Sequence, residues 1–158
     1  MRAHVRREWA ARCERTGPGE RMENRAGDWS CAVDTSSGVS SILMSGGITA
    51  DDIMAAQDRL ASDTRFDPTF PLIVDLNRAS DLTLTWLQAR SIALRSPVYA
   101  VAPRAFVAQT IVGAATAHAY RAVRATLTGA GAVHVCRSMD EAHGWLSSYR
   151  RTTRPRSH

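Results

Sequence analysis

A single α/β domain built on a mixed sheet is the fold class this chain predicts, and three observations carry that expectation. From Trp29 the residues alternate with period two, and after a turn a second extended run returns, the signature of a hairpin. Leu72-Ile73-Val74 and Ala105-Phe106-Val107-Ala108 are short unbroken apolar runs, as expected of interior strands covered on both faces. Segments with helical spacing lie between those runs, so the later strands should be parallel and joined by right-handed crossovers. The predicted order is an N-terminal hairpin, then βαβαβα with parallel crossovers.

Each element has its own local cause. Trp29, Cys31 and Val33 alternate with Ser30, Ala32 and Asp34, so one face of the first strand should be drier than the other. Thr35-Ser36-Ser37-Gly38 supplies the turn, Val39 to Ser45 the return strand, and Gly46-Gly47 its expected end. Thr49 precedes Asp52 at the capping-box spacing, at which each side chain meets the other's backbone N–H. With Ile53, Ala56 and Leu60 as an apolar stripe, this predicts a helix over Ala50–Ser62. Asp67-Pro68 and Pro71 break the chain ahead of Leu72, and Thr85 caps a second helix, Trp86–Arg95, stopped by Ser96-Pro97. A third helix is expected from near Thr110 to about Leu127, with Val112, Ala115, Ala119, Ala122 and Val123 on its buried face. Val133 and Val135 alternate with His134 and Cys136 in a last strand placed at a sheet edge. Ser138 and Glu141 repeat the capping-box spacing before a closing helix that carries Ala142, Trp145, Leu146 and Tyr149.

The 158 residues are 44% hydrophobic and 22% charged, enough to bury a core without disulfides or metals. A net charge of +5 suggests nucleic acid until the charges are mapped. Residues 1–28 hold seven Arg and five acids, residues 29–149 nine Arg and ten acids, and residues 150–158 four Arg and no acid. The excess falls at the two ends, so residues 29–149 are expected to form the domain, residues 1–28 a charged segment outside it, and residues 150–158 a flexible arginine-rich tail. Met22 is an alternative start. Nucleic-acid binding is disfavoured, because the tail lacks interleaved aromatics and the domain behind it is nearly neutral. No transmembrane segment is expected: the least polar stretch, Tyr99 to Val123, is interrupted by Arg104, His118 and Arg121. Cys13, Cys31 and Cys136 are too few and too scattered for a disulfide framework or a CxxC zinc site, which suits a reducing cytoplasm.

Asp75 stands directly after the interior run Leu72–Val74, opening into a polar connection, and ligands of open α/β sheets gather beyond the carboxyl ends of strands. Asn77, Thr83, Thr85, Gln109, Thr110 and Ser138 are expected at the same end, beside helix N-termini that favour anions. This rim is the predicted place for a ligand or partner. The competing account makes Asp75 a loop acceptor and the hydroxyls caps. His134 and Cys136 lack further ligands at metal-binding spacing, His118 lacks a nucleophile, and Gly46-Gly47 lacks the Lys of a phosphate loop. No catalytic residue, metal or cofactor is therefore assigned. Trp86 and Trp145 are expected to anchor the core.

Gly47-Ile48-Thr49 leading into a helix, Leu72-Ile73-Val74-Asp75-Leu76, Arg104-Ala105-Phe106-Val107 and Ser138-Met139-Asp140-Glu141-Ala142 ending in Trp145-Leu146 together resemble a SpoIIAA-like, or STAS-like, domain. The resemblance implies a regulatory or binding module. Antagonists of this type carry a phosphorylated serine in the loop after their Asp-Leu strand. That position is Leu84 here and the helix-opening glycine is Trp86, so a phospho-switch would have to use Thr83 or Thr85. The reading is a non-enzymatic module that contacts a protein partner or a small apolar or anionic ligand, with a homodimer compatible. The alternatives are an enzyme with its site at the rim and a weak nucleic-acid binder using the arginine-rich ends.

Overall fold

Residues 27–82, 84–94, 102–126 and 131–153 are described in the computed structural model. Strands β1 (Asp28–Asp34) and β2 (Val39–Ile48) form the antiparallel hairpin, with Asp34 opposite Val39 and Asp28 opposite Ser45. The turn between them is organised by Asp34, whose carboxylate accepts from the Ser36 N–H at 2.9 Å and from the Ser36 and Ser37 hydroxyls at 2.6 and 2.8 Å. Those bonds, the Ser36 hydroxyl's above all, hold the Asp34 carboxyl at about 2.

Beyond the hairpin the sheet grows in chain order, β1-β2-β3-β4-β5, through the parallel strands β3 (Leu72–Leu82), β4 (Arg104–Val107) and β5 (Val133–Cys136). Successive crossovers in one direction bring helices α1 (Ala50–Ala61), α2 (Trp86–Leu94) and α3 (Ile111–Ala125) to one face. Helix α4 (Met139–Thr153) packs alone on the other, against β4 and β5. Ile42, Met44, Leu72, Val74, Leu76 and Phe106 point into the larger core under α1–α3. Ile73, Ala105, Val107 and Cys136 meet Ala142 and Leu146 of α4. Leu72-Ile73-Val74 is thus apolar throughout because both of its faces are covered.

The helix starts follow their capping chemistry. Thr49 and Asp52 exchange both bonds of the box, at 3.2 and 2.8 Å. Thr85 and Gln88 do the same for α2, at 3.2 and 2.9 Å, at the same three-residue spacing. At α4 only half the expected box forms. The Ser138 hydroxyl accepts from the Glu141 N–H, while the Glu141 carboxylate takes the N–H of Arg137. Among the described residues no helix is long and apolar enough to cross a membrane.

Three expectations are corrected. Gly46-Gly47 does not end β2, and Asp75 does not follow β3: both strands continue, paired as Ser45–Arg78, Gly46–Ala79, Gly47–Asp81 and Ile48–Leu82. The pairing shifts register twice, and Gly46 takes a φ of 74°, open to glycine and costly for other residues. Secondly, α3 buries the face Gly113, Ala117, Tyr120, Val123 and Arg124, leaving Val112, Ala115, Ala119 and Ala122 exposed. Gly113 permits this: a Cβ there would lie 3.0 Å from the Thr110 Oγ1 and 3.3 Å from the Ala108 Cβ. Thirdly, Trp86 is 55% exposed and is no core anchor, because it opens α2 on the outer side of that helix. Trp145 does pack against the smaller core. At the C-terminus α4 passes Tyr149 and reaches Thr153, and the Arg150 guanidinium donates to the Ser37 and Gly38 carbonyls of the hairpin turn.

Candidate functional site

The carboxyl ends of β4 and β5, with the middle of β3 beside them, bring together five of the predicted rim positions and one neighbour, Arg137. Asp75, half-buried within β3, accepts from the Asn77 N–H at 2.9 Å. The Asn77 side-chain carbonyl accepts from the Gln109 N–H at 2.9 Å, and the Gln109 amide donates to the Arg137 carbonyl, also at 2.9 Å. Next to this chain, Thr110 caps α3 through the Gly113 N–H and Ser138 caps α4 through the Glu141 N–H. Thr85 is exposed and bonded to Gln88 on its own helix, beyond the far end of β3. Thr83 lies outside the described residues.

The chemistry of this group is structural. Asp75, Asn77 and Gln109 lace the middle of β3 to the ends of β4 and β5, and each hydrogen bond named ends on a backbone group of the same rim. That is what a sheet edge needs where β3 leaves β4 behind and its backbone groups require new partners. His134 lies on the α4 face, stacked on Trp145 at 5.0 Å between ring centroids. Its Nε2 is 3.9 Å from the Glu141 carboxylate. Cys136 is buried in the smaller core, and burial, with the Glu141 carboxylate adding to it, pushes its thiol up to about 11. It is protonated at neutral pH and unsuited to nucleophilic work. Among the described residues no three His, Cys, Asp or Glu side chains are grouped to hold a metal ion. His118 is exposed on α3.

A concave feature lies elsewhere, on the helical side of the sheet. A partly enclosed cavity of about 40 Å³ sits between β2, β3 and β4 and the helices α1, α2 and α3. Leu76, Leu82, Leu84, Ile92 and Phe106 supply much of its apolar wall, and Gln57, Arg104, Thr116 and Tyr120 are its polar side chains. Arg104 opens β4 and is 2% exposed, its guanidinium carbon 5.6 Å from the centre of the Tyr120 ring. The same ring rests against Phe106 at 5.1 Å. None of these polar residues was singled out from the sequence. Thr116 and Tyr120 follow one another at i, i+4, the spacing that aligns side chains on a helix, but the alanines around α3 made the opposite face look equally suited to burial.

No family model and no curated protein matches the sequence. The structure is similar to the crystal structure of an uncharacterised protein of the DUF3478 family with a SpoIIAA-like fold, from Shewanella loihica PV-4. The TM-score is 0.52 and the identity 14%, over 80% of this chain and 99% of that one. The element order, the five-stranded mixed sheet and this likeness agree, and the chain has a SpoIIAA-like fold.

Proposed function

We propose that this domain is a non-catalytic binding module that takes a small, mostly apolar molecule between its sheet and its helical layer. The observation that carries the reading is the cavity under α1–α3, whose wall is apolar almost throughout. The rim, expected from the sequence to be the site, spends its polar groups on its own backbone, which supports an architectural role for Asp75, Asn77, Gln109, Thr110 and Ser138. An enzyme at the rim would need a nucleophile or an acid–base pair within reach of a substrate, and the rim hydrogen bonds described above include neither. No cofactor enters the proposal, and its setting is the cytoplasm, where the Cys31 and Cys136 thiols would stay reduced.

Native mass spectrometry of protein purified from its own host tests the reading. A small bound mass that is retained under gentle ionisation and released by denaturation is the expected result. Protein that carries nothing, and whose amide resonances ignore small apolar probes, would sink it.

A protein contact is the second reading, favoured by apolar side chains left outside the core. Trp86 and Leu87 on α2 are 55% and 74% exposed, and Ile111 at the start of α3 is 89% exposed. Such residues mark interaction surfaces when they cluster. Sedimentation of the purified chain separates a second copy of itself from a different partner: a concentration-dependent dimer abolished by Trp86→Ser supports the first.

A further inference from the structure

Resting on the protein-contact reading above, we infer that the outer face of α1–α3 pairs with a second copy of this chain about a twofold axis running along α2. Helix α2 lies in the middle of that layer. It packs on both neighbours, while α1 reaches β1 and β2 and α3 reaches β3 and β5. The middle helix is also the one with the large apolar side chains outside. Leu87 and Leu94 are 74% and 46% exposed and stand seven positions apart, the spacing of a coiled-coil seam, with Trp86 beside them. Apolar side chains grouped on one outer face mark a contact with another protein surface.

The two flanks carry opposite charge. Helix α1 holds Asp51, Asp52 and Asp58 against Arg59, and Asp51, Ala55 and Asp58 follow at i, i+4, i+7 on its exposed side. Helices α2 and α3 contain no acid; their arginines are Arg90, Arg121 and the buried Arg124. Across its width the layer therefore reads acidic, apolar, basic, and such a face is complementary to itself. A half-turn about an axis along α2 lays α1 of each copy on α3 of the other and sets Leu87 against the partner's Leu87. The other face-to-face arrangement, with the axis across the helices, stacks acid on acid and is disfavoured.

Shape and size agree with this occupant. The exposed alanines of α3, at 115, 119 and 122, leave room for a helix to approach closely, and interaxial distance follows the side chains at the contact. Helices of 12, 9 and 15 residues, packed about 8–10 Å apart, present a face roughly 28 Å wide and about 18 Å long. Corrugated by side chains, that face approaches the roughly 800 Å² that each partner of a stable pair covers. An apolar centre with charged flanks is also the usual anatomy of such a contact.

The test is a charge swap on the full chain, read as the dimer dissociation constant by sedimentation. One variant reverses the α1 stripe, Asp51→Arg with Asp58→Arg, and a second reverses α3 with Arg121→Glu. Each alone is expected to weaken self-association about tenfold, because like charges then face each other. Mixed in equal amounts, the two should pair within about threefold of the parent affinity, since every reversed flank now meets its opposite. Two chains that had lost their fold could not give that rescue. A parent chain that stays monomeric up to about 1 mM would overturn self-association and leave the contact to a different partner. A dimer lost with Leu87→Ser but indifferent to both reversals would overturn the placement of α1 on α3. A dimer indifferent to Leu87→Ser and Trp86→Ser alike would overturn the protein-contact reading, and this inference with it.

Discussion

Two regions of this molecule collect polar side chains, and they use them in opposite ways. At the rim, Asp75, Asn77 and Gln109 are linked end to end, each bond closing on a neighbouring backbone group. On the helical side, Tyr120 lines a mostly apolar cavity and its hydroxyl, buried, has no partner among the described residues. A polar cluster at a strand end looks like a site, yet its capacity is already spent on holding strands of unequal length. The buried hydroxyl looks like core, yet it is a group with capacity left. Unspent hydrogen-bonding capacity, more than polarity, is what separates a place for a ligand from a piece of architecture.

The sharpest way to break this contrast is at Leu76, which lines the cavity while its chain neighbours Asp75 and Asn77 hold the rim. Leu76→Ala enlarges the cavity and is expected to cost about 2–5 kcal/mol in a urea titration. If the two regions are distinct, amide shifts should change across α3 and leave the Gln109 N–H protected. A rim that comes apart as well would show the two to be one unit.

Asn77→Ala removes the acceptor of the Gln109 N–H and should cost about 1–2 kcal/mol. Asp75→Asn is expected to lose a similar amount, about 1–2 kcal/mol, since an amide replaces the charged acceptor of the Asn77 N–H. Neither should alter the binding of small apolar probes followed by chemical shift. Loss of probe binding with stability intact would move the site back to the rim.

Tyr120→Phe runs the other way. Removing a buried donor that lacks a partner should raise stability by about 1 kcal/mol in ligand-free protein, seen as a higher denaturant midpoint. A fall of that size would mean the hydroxyl was paired.

The smallest effect concerns acid. Asp34, like Asp75, accepts from the backbone N–H two residues on, and its carboxyl sits at about 2 in place of the ordinary 3.8. It stays ionised in the folded chain where the unfolded carboxylate has begun to protonate. Its contribution is therefore whole above about pH 4 and is lost as the pH falls towards 2. Asp34→Asn should flatten that part of a stability-against-pH curve. Cys136 gives the mirror case: its thiol is raised from 9.0 to about 11, so its contribution holds below pH 9 and declines as the pH climbs to 11.

What the sequence made legible was whatever is decided locally. The Thr49–Asp52 box, the turn at Thr35-Ser36-Ser37-Gly38 and the apolar run Leu72–Val74 each depend on residues a few positions apart, and each formed as expected. The second half of β3 was missed because its burial breaks period two: Leu76, Ala79 and Leu82 are buried three positions apart, across two register shifts against β2. Those shifts are set by the partner strand, which local pattern does not contain. Helix α3 was read on the wrong face for a related reason. Alanines at 115, 119 and 122 look as suited to packing as Gly113 and Ala117 do, and only the contact with Thr110, Ala108 and Leu76 decides between them. Tyr120 went unnoticed with that face.

The Arg150 guanidinium, bonded to the Ser37 and Gly38 carbonyls, joins residues 113 positions apart in the case of Ser37. Closing a loop of that length in an otherwise unstructured chain would cost about 4 kcal/mol in entropy. One or two exposed hydrogen bonds return less than that, about 0.5–1.5 kcal/mol each for an ordinary pair. The contact therefore cannot help to start folding. It can close only after the sheet has formed and α4 has docked, when the two ends are already neighbours. In time, this makes the last turns of α4 a late arrival and an early departure: substitutions at Arg150 should speed unfolding and leave the folding rate almost unchanged.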